Sequence, residues 1–448
     1  MDRPNGTRFA PSRVRVDRPM KDHCSGSDIE LIVDAMGYGR TAVARADGKV
    51  YFLEGGAPGD RVRATITSDH GSYAEAVIEQ ILEPGPQRVS APCPLVGRCG
   101  GCPWQHLDYP AQLDAKRRSV IDALERIGGL ANPPVGEIQA SPRQFGYRNR
   151  LKLRFDGSRL GFYSARTHEV VPIEDCLIAD DRIRDTLALV QNFVVGLATR
   201  VLRVEVASRD ELPGIVLAIN AQGRLHRSDD RKVRRFLEAP DASATGVIMW
   251  GKGWSNTWGD TSRRHAITGD GFAIDAVDRA FGQVNSDANR ILVRTVAARA
   301  CLDGSQSVLD LYAGVGNLSI PLAAKARRVV AVESDLAAVE AGRGSLEIHA
   351  ISGMEFRAER VETYLAGGHG YEPDLVVMNP PRSGLGPIAT TIAALRAPHL
   401  LYVSCNPATL ARDFKVMAAA GYKLRSVTPI DMFPHTFHVE SVCDAELT

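Results

Sequence analysis

The chain has 448 residues, of which 44% are hydrophobic and 24% charged, values that exclude wholesale disorder or a fibrous repeat and imply roughly two to three folded domains. A net charge of +1 does not mark the whole chain as a polyanion binder. No run of eighteen apolar residues occurs and the first residues lack a leader-like apolar core, so a cytoplasmic protein without a membrane partner is expected.

In chain order, residues 1–27 form a basic tail in which Arg3, Arg8, Arg13, Arg15, Arg18 and Lys21 concentrate charge, either as a solvated disordered segment or as an arm for phosphates. From Asp28 to Glu83 the stretches "IELIVDAM", "TAVARA", "KVYFLE", "DRVRATITS" and "YAEAVIEQIL" alternate between apolar and polar positions and are divided by turn signals. Short strands so closely spaced suggest a small closed, OB-like barrel. "EPGPQR" reads as a linker.

The following region, residues 86–280, opens on a cysteine array, continues into a helix over "AQLDAKRRSVIDALERIGG", and includes strand-like pieces such as "RLKLRFDG" and "RLGFYS", a mixed α+β pattern. From Phe281 to the end, "SVLDLY", "RRVVAVE", "PDLVVMN" and "LLYVSC" are each followed by a loop and a helical stretch. This alternation predicts a Rossmann-like, doubly wound α/β domain whose ligands gather at the carboxyl ends of the strands.

Cysteine usage sharpens the reading. Eight cysteines in a reducing compartment are expected to be buried, metal-binding or catalytic rather than paired. Cys93, Cys99 and Cys102 form a C-x5-C-x2-C array, with Cys176 as a distant fourth, and clustered thiols of this kind point to a metal centre, either zinc or iron–sulfur. Of the others, Cys24 lies in the tail, Cys301 closes a helix and Cys443 lies near the end, each expected to be filler. Cys405 stands at a strand end and is the candidate nucleophile.

Gly314 and Gly316 follow a strand and precede a helix, an arrangement that lets a ligand approach the backbone, although Ser319 stands where a dinucleotide fingerprint has its third glycine. Glu333, one strand on, can hold ribose hydroxyls, so the pair describes an adenosyl site. Asn379-Pro380-Pro381-Arg382 forms a stiff loop after the next strand. His435, His438 and Glu440 follow Cys405, and a final antiparallel strand would bring Glu440 towards it.

The motifs "FGQVN", "DLYAGVGN", "NPPRSG", "SCNPATLARD" and "HVE", together with the cysteine array, resemble those of the bacterial RNA uracil-C5-methyltransferases, above all the 23S ribosomal RNA branch with an iron–sulfur cluster. That resemblance implies an RNA-binding TRAM barrel over residues 28–83 and a 4Fe-4S cluster on Cys93, Cys99, Cys102 and Cys176. It also implies an S-adenosylmethionine site lined by Gln283, Tyr312, Asn317, Glu333 and Asn379, with Cys405 as nucleophile, Glu440 as base and Arg382 as a stabiliser of negative charge. The implied partner is RNA, ribosomal or else transfer RNA, with no obligate protein partner. Trp104, Tyr147, Arg148 and Arg150 are read as RNA contacts or as supports of the cluster region. Two departures stand out: Asn379 replaces an aspartate, and the stretch after Glu333 lacks the expected asparagines. The asparagine leaves open an amino-group methyltransferase or a non-catalytic RNA-binding protein.

Overall fold

A computed structural model describes residues 28–165, 167–239, 243–269, 271–275, 282–368 and 371–448. The basic tail with Cys24, and Ala280 and Phe281 at the expected junction, lie outside the described residues.

The first strands, β1 (Asp28–Met36), β2 (Thr41–Ala46), β3 (Lys49–Glu54), β4 (Arg61–Asp69) and β5 (Tyr73–Glu83), close into a barrel in the order β1-β2-β3-β5-β4. Alternation supplies its core. Leu31 and Val33, Ala42 and Ala44, Tyr51 and Leu53, Val62 and Ala64, and Ala74 and Ala76 all point inward.

A second sheet holds β6 (Arg150–Phe155), β7 (Leu160–Tyr163), β8 (Val170–Pro172), β9 (Arg200–Ser208), β10 (Ile215–Gln222), β11 (Ala244–Gly251) and β12 (Trp254–Gly259), in the order β12-β11-β10-β9-β6-β7-β8. It is antiparallel except between β10 and β11. The helix Tyr109–Arg126 precedes it, capped by Asp108, whose carboxylate accepts from Ala111 N–H; such a cap contributes ~1 kcal/mol. This helix buries Val120, Ala123 and Leu124 in the core of the C-terminal sheet rather than against the second sheet. The hairpin of β13 (Arg264–Ala266) and β14 (Ala273–Asp275) likewise leads into that core through Ile267 and Ile274.

The C-terminal sheet is built from β15 (Ser307–Leu311), β16 (Arg328–Glu333), β17 (Met354–Ala358), β18 (Leu375–Met378), β19 (His399–Ser404), β20 (Tyr422–Ile430) and β21 (Glu440–Leu447), in the order β17-β16-β15-β18-β19-β21-β20. β15 to β19 are parallel, and β21 runs antiparallel between β19 and β20. Their near-continuous apolar text follows from burial on both faces: every residue of β15 and β18 is buried. The strand–helix alternation legible in the sequence is this Rossmann-like sheet. Among the described residues no helix is long and apolar enough to cross a membrane.

Candidate active site

Four loops meet at the carboxyl edge of the C-terminal sheet, after β15, β16, β18 and β19. The chain leaves β15 through Tyr312, a non-glycine residue at φ 63°, and turns into Gly314 and Gly316 at φ 57° and 91°. A Cβ on Gly316 would come within 2.9 Å of Ile320 and 3.1 Å of Phe356, so packing as well as φ requires glycine there. Gly314 N–H donates to Glu333 Oε2 at 3.0 Å, tying the glycine turn to the end of β16. The other oxygen of Glu333 accepts from Asp335 N–H at 2.8 Å. Asn317 forms a reciprocal amide pair with Asn289 of the helix Ser286–Ala300, at 2.8 and 2.9 Å.

Ser319, the residue that breaks the dinucleotide fingerprint, donates its hydroxyl to Asp310. Asp310 is buried, its carboxyl is pushed up to about 7 by burial, and its Oδ1 has no partner among the described residues. Inside β15 it reads as ordinary strand, so sequence reasoning missed it.

Asn379 directly follows β18, its N–H bonded to Leu311 O at 3.3 Å, and Gln283 leads into the helix Ser286–Ala300, its carbonyl accepting from Asn149 Nδ2 at 3.2 Å. The loop after Asn379 is held by the helix Pro407–Ala419. Asn406 caps that helix through Ala408 N–H and reaches back to Arg382 O at 3.4 Å. Arg412 Nη2 donates to Ser383 O at 2.8 Å, and buried Asp413 accepts from Leu385 N–H and from Tyr402 hydroxyl at 2.7 and 2.8 Å. Gly384 has φ 73°, and a Cβ there would collide with Asp413. One face of "NPATLARD" therefore fixes the position of Arg382.

Cys405 is half-buried directly beyond β19. The β19–β21 register pairs Ser404 with Ser441, and its continuation sets Glu440 across from Cys405. Glu440 is 3% exposed, and burial pushes its carboxyl up to about 7 against the pull of Arg382. Burial and then Glu440 raise the Cys405 thiol, while Arg382 lowers it. Arg382 Nη2 also lies 3.2 Å from His438 Nε2. His435 and His438 are both depressed to about 4 by burial, so both are neutral near pH 7. Cys301 caps the helix Ser286–Ala300 in the left-handed region and is exposed, and Cys443 is buried in β21.

The segment Asp431–His438, which leads to Glu440, is clamped from outside the C-terminal sheet. Lys116 Nζ pairs with Asp431 Oδ1 at 2.5 Å with both side chains fully buried, and Tyr109 hydroxyl donates to Asp431 Oδ2 at 2.9 Å. Trp104 N–H donates to His435 O at 3.0 Å, Tyr147 hydroxyl to Pro434 O at 3.2 Å, and Gln112 takes His435 N–H at 2.7 Å.

Cys93, Cys99, Cys102 and Cys176 line one cavity of about 420 Å³, with Arg40, Arg148 and Lys152 also on its wall. Burial raises Cys102 to about 12 and Cys176 to about 11. Among the described residues no three His, Cys, Asp or Glu side chains are gathered to hold a metal ion. Of the two readings of Trp104, Tyr147 and Arg150, RNA contacts or supports of the cluster region, burial speaks against the first: Trp104 Nε1 is bonded to Gly39 O and Arg150 to Gly282 O, so they brace the interior. Arg148 is half-buried, with its Nε bonded to Arg150 O at 3.0 Å.

A Rossmann-like sheet with a glycine turn, a strand-end acid and a cysteine on the fourth loop defines a methyltransferase class. A family model described as tRNA (Uracil-5-)-methyltransferase matches residues 261–444, and a TRAM domain model matches residues 23–78. An uncharacterized RNA methyltransferase of Gloeobacter violaceus is 34% identical, the match covering 96% of this chain and 99% of the relative. The 23S rRNA (uracil(1939)-C(5))-methyltransferase RlmD of Pectobacterium atrosepticum is 30% identical, over 92% of this chain and 91% of the relative. The crystal structure of Pyrococcus abyssi tRNA (uracil-54, C5)-methyltransferase in complex with S-adenosyl-L-homocysteine has the same fold, with TM-score 0.72 and 23% identity over 93% of this chain and 100% of that one. The chain belongs to the S-adenosylmethionine-dependent RNA (uracil-5-)-methyltransferase family.

Proposed function

We propose that the protein methylates C5 of a uridine in structured RNA, 23S ribosomal RNA foremost, through a covalent bond between Cys405 and uracil C6. The observation that carries this reading is the facing pair Cys405 and Glu440 at the sheet edge that also bears the glycine turn and Glu333.

Uracil C5 is a poor nucleophile until a thiolate adds at C6 and creates an enolate. S-adenosylmethionine, bound along Gln283, Tyr312, Gly314, Gly316, Asn317, Glu333 and Asn379, supplies the electrophilic methyl group. Arg382 favours the Cys405 thiolate and offsets negative charge developing on the ring. After methyl transfer C5 carries both a proton and the new methyl. Glu440 takes that proton, the C5–C6 double bond re-forms, and the C6–Sγ bond breaks, releasing Cys405 as a thiolate. A base near 7 suits this work better than His438 near 4. Asn379 keeps a side-chain oxygen that accepts a hydrogen bond, so its missing charge is compatible with the reaction.

Cys93, Cys99, Cys102 and Cys176 are the ligands of a 4Fe-4S cluster in this reading. Support for this reading comes from the four thiols lining one cavity, with Arg40, Arg148 and Lys152 on its wall to offset thiolate charge. The barrel and the middle region hold the RNA loop that delivers the uridine, flipped from its stack.

Ribosomal RNA transcribed with 5-fluorouridine tests the reading, because fluorine at C5 cannot leave as a proton does. The protein and its methyl donor are expected to give an RNA–protein band on a denaturing gel, and Cys405→Ala to abolish it. A band that survives the substitution moves the role to another thiol.

A further inference from the structure

We propose that Tyr38, on the barrel turn between β1 and β2, is a substrate-positioning residue whose ring stacks on a base of the RNA strand entering beside Cys405. The inference rests on the proposed function and adds to it a residue from the far end of the chain.

Tyr38 is 40% exposed, yet its surroundings are fixed. On one side Gly37 N–H bonds Thr41 O at 3.0 Å, and on the other Gly39 O accepts from buried Trp104 Nε1 at 3.1 Å. Arg40 then bonds Gly100 O at 2.9 Å and Glu54 at 2.9 Å. With anchors before and after it, the turn holds the ring in one place at little further entropic cost on binding.

The ring meets Phe437 edge-on, with centroids 5.7 Å apart at 86°. Phe437 in turn lies 4.2 Å from His438, which bonds Arg382. Cys405, Arg382 and Glu440, the groups assigned to the reaction, lie close enough to act on its phenol electrostatically. Burial chiefly, then Cys405, holds its phenol up at about 12, so it stays neutral and adds no charge to repel a phosphate backbone. A part-exposed, neutral aromatic ring on an anchored turn, joined through Phe437 and His438 to Arg382, is suited to stacking, which every nucleobase can accept.

Steady-state kinetics on a 23S ribosomal RNA transcript separates ring from hydroxyl. Tyr38→Phe keeps the ring and is expected to leave kcat and KM within about twofold of wild type. Tyr38→Leu keeps an apolar contact to Phe437 without a π face, and its KM for RNA is expected to rise about tenfold or more with kcat little changed. A Leu variant with wild-type KM overturns the inference, as does one that loses kcat at unchanged KM. A Phe variant as impaired as Leu assigns the role to the hydroxyl and also overturns it. Trapping on 5-fluorouridine RNA separates the two levels: no adduct with wild type defeats the proposed function, whereas equal adduct from wild type and the Leu variant at limiting RNA defeats the stacking role alone.

Discussion

Glu440 is a carboxyl group whose folded environment opposes its charge, and that sets a pH dependence. Its titration lies at about 7 because burial disfavours the anion. Below that pH it is protonated and cannot accept the C5 proton, a step that follows methyl transfer in the proposed sequence, so kcat is expected to rise with pH through about 7. The same shift acts on stability in the opposite sense. The unfolded carboxyl gives up its proton near 4.5 while the folded one retains it to about 7, so this group's contribution to folding weakens as pH rises across that window. Glu440→Gln removes the charge and keeps the size. It is expected to transfer one methyl group, stall with RNA attached through Cys405, and lose the rise near pH 7. A denaturing gel with unfluorinated RNA would reveal the stalled species, and turnover near the wild-type rate would exclude Glu440 as the base.

Two elements hold this chemistry in register, and they differ in how plainly the sequence announces them. The helix Pro407–Ala419 presents Asn406, Arg412 and Asp413 to the Arg382 loop from one short motif, so its role was partly legible as "SCNPATLARD". The clamp on the Asp431–His438 segment was not, because Lys116 and Asp431 are separated by 315 residues and each looks like an ordinary surface charge in its own stretch. Lys116→Met would leave Asp431 buried without its cation, a loss of about 3–5 kcal/mol expected in urea unfolding. Replacing Asp431 by Leu as well should recover most of it, and a single substitution costing under about 1 kcal/mol would show the pair to be dispensable. Strand ends, glycine turns and cysteine spacing were readable because local pattern determines them. Asp310, Asn289 and Tyr38 were not, since their partners are assigned only by tertiary packing. The choice between RNA contact and internal support at Trp104, Tyr147 and Arg150 stayed open in the sequence for the same reason: aromatic and basic residues look alike whether they face solvent or an interior carbonyl.

At the scale of the molecule, the cysteine cavity, the barrel turn and the Asp431–His438 segment are directly connected. Trp104 lies two residues beyond Cys102, donates its backbone N–H to His435 O and its indole to Gly39 O, and packs with Met36 and Phe437. Protein purified without oxygen is expected to be brown and to contain iron and acid-labile sulfide, and Cys102→Ser to lose both and to melt at a lower temperature. Stoichiometric zinc with no iron would overturn the cluster assignment. The position of β21 carries a further consequence, for biosynthesis. The strand that begins with Glu440 inserts between β19 and β20, both of which leave the ribosome before it does. Until it arrives, those two strands have unpaired edges and Cys405, the proposed nucleophile, has no carboxyl opposite it. A chain in which that strand is unpaired is therefore expected to expose two sheet edges to other chains, and disruption of β21 to favour aggregation.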